Sequence, residues 1–281
     1  MNIQATLTAE GGKRLIAQAI ASLPQVKRAL AEGKILLKGS TTVSAVAELL
    51  IGCPLRICGR IEPLGAGTAP AKTASAHSLL LEKGVPRNID GDFAAAAETM
   101  GRGDICITGA NLIDCHGRAA IMAGSPLGGA PLRVLAALQT EGVETLIAAG
   151  LEKYSPYPLE GALRAASRKG VDMAMGMASG LVPVEGEVIN EAEAAFILGA
   201  QKVCVIGRGG IGGCEGGTTL SIEAEDETAR RIFELVKEAN RRGKEGPSGE
   251  AESLDSCLAS HCGPTGAGHL SCCYREERLR K

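Results

Sequence analysis

Apolar residues recur at helical spacing between positions 11 and 31 (Leu15, Ile16, Ala19, Ile20, Leu23), and Pro24 divides that stretch into two helices. The period then changes. Lys34-Ile35-Leu36-Leu37-Lys38 is the short apolar run of a buried strand, and Gly39-Ser40-Thr41-Thr42 leads from it into a helix over 43–51. Strands are predicted over 55–61, 78–81, 104–108, 119–123 and 145–149, with helices over 93–100 and 132–138. Such alternation implies parallel pairing through right-handed crossovers, hence an α/β unit with a doubly wound, mostly parallel sheet and helices on both faces. Beyond 171 the order is strand (181–189), helix (191–198), strand (203–206), glycine-rich loop, strand (219–223) and helix (227–239), which suits a small split β-α-β unit. Residues 241–252 mix charge with Gly, Pro and Ser and read as a linker. The expected division is therefore 1–175, 176–242 and a linker with its tail, 243–281, without internal repeats.

Composition sharpens this picture. Of 281 residues, 45% are apolar but only 2% aromatic, and Trp is absent, so the core must be built from Ala, Val, Ile and Leu, the diet of parallel strands under Ala-rich helices. Charges are scattered and sum to -2, which leaves no footprint for nucleic acid, and the lack of aromatics removes stacking platforms. The polar start over 1–14 does not resemble a signal peptide, and no apolar run is long enough for a bilayer, so a cytoplasmic location without membrane partners is expected. In that setting Cys53, Cys58, Cys106, Cys115, Cys204 and Cys214, in or near apolar stretches, are expected to be buried small hydrophobes. The Ala- and Gly-rich helices lead us to expect a homo-oligomer.

The strand-to-helix junction at 39–42 is the first place to look for chemistry. A helix start presents unpaired N–H groups and the positive end of the dipole, a natural seat for an anion. Gly39 permits close approach, and Ser40, Thr41 and Thr42 add hydroxyls. An ordinary N-cap would look the same.

Segment 33–42, Gly-Lys-Ile-Leu-Leu-Lys-Gly-Ser-Thr-Thr, resembles the strand and phosphate loop of the superfamily that contains ribose-5-phosphate isomerase, glucosamine-6-phosphate deaminase, CoA transferases and sugar-responsive repressor domains. Segment 103–114, Gly-Asp-Ile-Cys-Ile-Thr-Gly-Ala-Asn-Leu-Ile-Asp, resembles its strand ending in Gly-Ala-Asp, found also in the initiation-factor-2B and methylthioribose-phosphate isomerase group. Ala148-Ala149-Gly150-Leu151-Glu152-Lys153 is similar to a later strand whose end brings a lysine near substrate. The three run in the family's order across 33–153. The resemblance implies a ligand at the carboxyl ends of neighbouring strands, with Gly39, Ser40, Thr41, Thr42 and Gly109 around an anionic group, Asn111 and Asp114 facing a polar carbon skeleton, and Lys153 supplying charge or a proton. Two departures stand out. Asn111 replaces the family's acid, and Ala123-Gly124-Ser125-Pro126-Leu127-Gly128-Gly129 replaces its Lys-Gly-Gly-Gly loop, so that Gly124 and Ser125 become the ligand-binding positions there. An isomerase moves a proton between adjacent carbons and needs a base; here that base would be Asp114 or Glu152. The bland alternatives are a turn-organising Asp114 and a solvated Lys153.

Two further motifs remain. The G-x-G-x-x-G at 207–212 follows a strand but leads into another strand, so it lacks the helix a dinucleotide fingerprint requires; we expect the 207–217 loop, with Arg208 and Glu215, to close over the site or to form a subunit contact. In the tail, Cys257, His261, Cys262, His269 and Cys272, with Cys273 adjacent, gather zinc-type ligands at spacings unlike those of known fingers, so zinc is the one metal cofactor to expect. His77 and His116 read as polar loop residues. Together these readings describe a protein that binds a small anionic or phosphorylated metabolite, either as an isomerase-like or CoA-transferase-like enzyme or as a sensor that kept the pocket and lost the base.

Overall fold

A computed structural model describes residues 1–63, 65–68 and 75–249. The chain opens with β1 (Asn2–Leu7), α1 (Ala9–Ser22), α2 (Pro24–Glu32), β2 (Lys34–Lys38) and α3 (Thr41–Ile51). Two hairpins follow: β3 (Gly59–Glu62) with β4 (Gly65–Thr68), and β5 (Ser78–Glu82) with β6 (Val85–Asn88). Then come α4 (Phe93–Ala97), β7 (Ile105–Thr108), β8 (Leu112–Ile113), β9 (Ala119–Ala123), α5 (Gly129–Leu135) and β10 (Glu144–Ala148). The remainder is α6 (Leu159–Ala165), β11 (Gly180–Val184), β12 (Glu187–Ile189), α7 (Glu191–Ile197), β13 (Lys202–Gly209), β14 (Gly217–Glu223) and α8 (Asp226–Gly243).

The fold is α/β, with a mixed six-stranded sheet in the order β12-β10-β7-β2-β5-β6 flanked by helices. Neighbours from β12 to β2 are parallel, while β5 and β6 add antiparallel pairs at one end. Side chains alternate across the strands, so Leu37, Ile107 and Ala148 enter one core with α1, α3, α7 and α8. Leu36, Cys106 and Ile147 enter a second core with α4 and α5. That second core is also covered by a three-stranded antiparallel sheet, β11-β9-β8. A third sheet, β1-β14-β13, carries Leu7, Leu220 and Ile222 into the first core.

Local chemistry sets the element ends. The Thr8 hydroxyl accepts from Gly11 N at 2.9 Å and caps α1. Leu23 is extended and Pro24 occupies the first turn of α2, where its missing N–H costs nothing. Gly52, at φ 68°, closes α3 in the left-handed conformation.

Four expectations need correction. Strand 119–123 is not part of the main sheet: residues 109–118 make a tight hairpin rather than a crossover, so β9 pairs antiparallel with β8 and β11. The single strand expected over 181–189 breaks at Gly186, whose φ of 157° and packing against Thr145 O admit no side chain, and the chain passes there from the cover sheet into the main one. Strand 55–61 begins only at Gly59, because Leu55 N donates to Ser44 Oγ and Arg56 N to Ala76 O. Of the six cysteines among the described residues, only Cys106 is buried; Cys53, Cys115 and Cys204 are exposed and Cys58 and Cys214 half-buried, and Cys204, though inside an apolar run, lies on the outer strand β13 of its sheet.

The segments on either side of position 176 are interleaved, since β12 pairs with β10 and β1 pairs with β14. The linker reading of 241–252 meets order over its described part: α8 extends to Gly243, and the hydroxyl of buried Ser248 donates to Glu48 Oε1 at 2.6 Å and accepts from the Ser44 hydroxyl at 2.9 Å. The candidate ligands Cys257, His261, Cys262, His269 and Cys272 lie outside the described residues. Among the described residues no helix is long and apolar enough to cross a membrane.

Candidate functional site

The carboxyl end of β2 runs straight into α3. Gly39 N donates to His77 O at 2.8 Å, and the Ser40 hydroxyl accepts from Val43 N at 3.2 Å. Ser40 is thus a working N-cap, while the amides of Thr41 and Thr42 have no acceptor among the described residues. Thr42 is buried and its hydroxyl is unpaired as well. The neighbouring strand closes in: a Cβ at Gly109 would lie 2.6 Å from Ser40 Oγ, so only glycine fits beside the cap. The structure therefore brings Gly39, Ser40, Thr41, Thr42 and Gly109 together.

One strand further along, β10 ends in a 3-10 turn, Leu151–Lys153. Leu151 N donates to Glu191 Oε2 at 2.8 Å, which locks the turn to the first residue of α7. A Cβ at Gly150 would collide with the carboxyl groups of both Glu152 and Glu191, and one at Gly12 of α1 would collide with that of Glu191, so the two acids converge over glycine backbone. Glu191 is 1% exposed, and both Glu152 oxygens are buried without a hydrogen bond. Burial, reinforced by the charge of Glu152, pushes the Glu191 carboxyl up to about 7, against the opposing pull of Leu151 N–H and Lys153. Lys153 Nζ stands 3.6 Å from Glu152 Oε1. Burial lowers its pKa, with Lys13 adding to the effect and the two glutamates opposing it. The glycine-rich loop reaches this cluster: a Cβ at Gly216 would sit 3.3 Å from Glu152 Cβ, and Arg208 lies 5.6 Å from the ring centre of Tyr154. Thr218, at the start of β14, is buried with an unpaired hydroxyl. Two buried carboxyl groups and a buried lysine in one cluster are groups that can exchange a proton.

The remaining predicted residues belong to the cover sheet. Asn111 Oδ1 accepts from Met122 N at 2.9 Å and squares the β8–β9 hairpin. Gly124 O accepts from Arg168 Nε at 2.7 Å, and its Cα abuts Met177. Ser125 is exposed before a single 3-10 turn. Asp114 is fully engaged. Its buried carboxylate accepts from His116 N, Arg118 N, Leu159 N and twice from the Arg118 guanidinium, all within 2.9 Å. Burial alone would raise its pKa, but these five donors outweigh it and hold the group far below the usual carboxylate range. Asp114 thus organises the turn at 114–118 and ties it to Leu159. Glu152 and Lys153 lie together at the end of β10, and Glu191, beside them, is the residue that sequence reading passed over. An acid in a helix's first turn is the commonest way to complement the dipole, so nothing in the sequence singled it out. Among the described residues no group of three or more His, Cys, Asp or Glu is arranged to hold a metal.

The molecule is thus an α/β protein whose polar side chains gather at the carboxyl edge of parallel strands. Comparison of the chain with models of known families, with curated proteins and with solved structures finds no match.

Proposed function

We propose that this chain binds a small anionic metabolite at the carboxyl edge of its parallel strands and moves a proton on it. The observation that carries this reading is the meeting of Glu191, whose carboxyl burial pushes up to about 7, with Glu152, whose two buried oxygens accept no hydrogen bond and of which Oε1 faces Lys153 at 3.6 Å. A carboxyl raised toward neutrality and set against a second buried carboxyl is an arrangement that general acid-base catalysis uses. The unpaired amides at the start of α3 offer the anion a seat, and the resemblance to phosphosugar isomerases supports a proton shuttle between adjacent carbons.

A panel of sugar phosphates, acyl-CoA esters and inorganic phosphate should show which ligand raises the melting temperature, by about 2.7 kcal/mol of stabilisation at a hundred times Kd. With that ligand in hand, Glu191→Gln should abolish turnover and keep binding. A panel that leaves the melting temperature unmoved would end the reading. One observation favours a non-catalytic sensor instead: the acid of the family's Gly-Ala-Asp is Asn111, and the nearest carboxylate in sequence, Asp114, is tied to Arg118. For a sensor, ligand stabilisation would persist with no turnover in the unmodified protein.

A further inference from the structure

Strand β13 is an open edge of the sheet β1-β14-β13. It pairs with β14 alone, and among the described residues no main-chain hydrogen bond leads from 202–209 to any other element. At the sheet's other edge the turn out of β1 is already bonded, since Thr6 O and Thr8 N both engage Asn240 of α8. A row of unpaired N–H and C=O groups is a template for a further strand, and edges that stay free in water are guarded by Pro, by short length or by charge along the strand. Strand β13 runs for 8 residues without Pro, and its middle, Val203-Cys204-Val205-Ile206, carries no charge. The apolar surface continues around it. Val205 lies opposite buried Leu220 and on the same face, yet is 38% exposed because no strand lies beyond it. Ile206 is 49% exposed, Cys204 is exposed, and so is Phe196 on α7, the helix in contact with β13.

The register this edge can adopt with itself points to its occupant. Residues directly opposite in an antiparallel ladder share a face, so two copies of β13 related by a two-fold axis must set a residue on that axis. The regular part of the strand ends at a bulge between Val205 and Gly207. With Val205 on the axis, the bulge would fall inside the ladder and Lys202 would oppose Arg208 of the second copy. With Val203 there, Val205 would oppose Gln201, and Cys204 would oppose Lys202. With Cys204 on the axis, Val203 opposes Val205 on both sides of it, Lys202 opposes Ile206, and the ladder stops at the bulge. That register alone matches apolar with apolar and brings no like charges together.

We propose that β13 is the interface of a two-fold dimer, in which it pairs antiparallel with β13 of a second copy around Cys204 and joins the two three-stranded sheets into one continuous sheet. An isologous contact of this kind closes on itself, so the edge is consumed and assembly stops at two chains. The main-chain bonds supply the pairing, and the facing valines and Ile206 bury the apolar surface that a single chain leaves in water. The hairpin that β13 forms with β14 reaches the acid cluster through Gly216, but the dimer rests on the strand edge alone and stands apart from the acid-base reading.

The test uses the full chain. Sedimentation equilibrium over a concentration series should give a dimer. Bismaleimidoethane, which bridges neighbouring thiols, should then yield a Cys204–Cys204 peptide by mass spectrometry, a link that can only join two chains, ahead of any link from the exposed Cys53 and Cys115. Cys204→Ala should keep the dimer and lose that peptide. Cys204→Lys sets two ammonium groups opposite each other on the axis and should raise the dissociation constant at least about threefold, with an unchanged circular dichroism spectrum. A monomer overturns the proposal and leaves the edge to an occupant other than a second copy, and open-ended assemblies, as β13 pairing with β1 would build, overturn it too. So does a dimer whose Cys204 thiols stay unlinked, a result that needs no variant to fold, or one that Cys204→Lys leaves equally tight.

Discussion

The Glu191 carboxyl, raised from its ordinary value of 4.5 to about 7, holds a proton in the folded chain that the unfolded chain has already released between those pH values. Folding therefore binds a proton in that window, and the contribution of Glu191 to stability, full below pH 4.5, is lost as pH rises through 7. Glu191→Gln keeps an acceptor for Leu151 N–H and removes the charge that faces Glu152. We expect the variant to match the parent near pH 4.5 and to exceed it at pH 8 by about 2–3 kcal/mol, measured by urea denaturation at the two pH values. Asp114 works in the opposite sense. Its stabilisation is present above the ordinary value of 3.8 and is lost as pH falls toward strong acid. Asp114→Asn turns one acceptor oxygen into a donor facing Arg118 and should cost about 2–3 kcal/mol at pH 7 while leaving ligand binding at the strand edge unchanged, which thermal melts with and without ligand would show. These two acids explain what the sequence could and could not tell. Asp114 stands in a motif that looks catalytic, yet its neighbours two, four and forty-five residues away saturate it. Glu191 stands in no motif and gains its affinity only when α1, β10 and α7 meet.

At the scale of elements, periodicity was a sound guide wherever one face of a helix or a whole strand is buried. The break at Pro24, strand Lys34–Lys38 and the helix after Ser40 follow from spacing and capping chemistry alone. Strand β1 was passed over: Ile3, Ala5 and Leu7 alternate with polar residues, but the stretch was read only as a polar start. Partner choice was not legible. Whether 119–123 joins the main sheet or folds over it depends on the hairpin closed by Asp114, a non-local outcome that no strand period encodes. The junction of β7 with α3 is the element contact on which the candidate anion seat depends. Gly109→Ala would place a methyl 2.6 Å from Ser40 Oγ and 2.8 Å from its Cβ, an overpacking that should cost about 1–3 kcal/mol. Ser40→Ala loses only a cap, about 1 kcal/mol, whereas Ser40→Gly removes both clashing atoms. Chemical denaturation of the double variant Gly109→Ala with Ser40→Gly should therefore show a loss clearly smaller than the sum of the two single losses. Additive losses would mean the two elements do not touch as described.

Over the whole molecule, the two ends of the described chain are tied across the core, and the acid cluster depends on that tie. Asn240, near the end of α8, accepts from Thr8 N at 3.0 Å and donates from Nδ2 to Thr6 O at 2.8 Å. It thereby fixes the corner where β1 turns into α1. A Cβ at Gly11 would strike the same side chain, and Gly12, one residue on, packs against the Glu191 carboxyl. A contact spanning 232 residues in sequence thus sets the wall that desolvates Glu191. Asn240→Ala leaves Thr8 N and Thr6 O without these partners, and we expect a loss of about 1–3 kcal/mol. The consequence reaches further than stability. With the first turn of α1 loosened, water gains access to Glu191 and its carboxyl should titrate closer to 4.5, while its distance in sequence from the altered residue stays the same. A carboxyl-carbon NMR titration of Glu191 in both proteins checks this. A normal melting temperature with an unshifted titration would show that α8 does not govern the site, and a lowered melting temperature with an unshifted titration would show that burial of Glu191 is set by β10 and α7 alone.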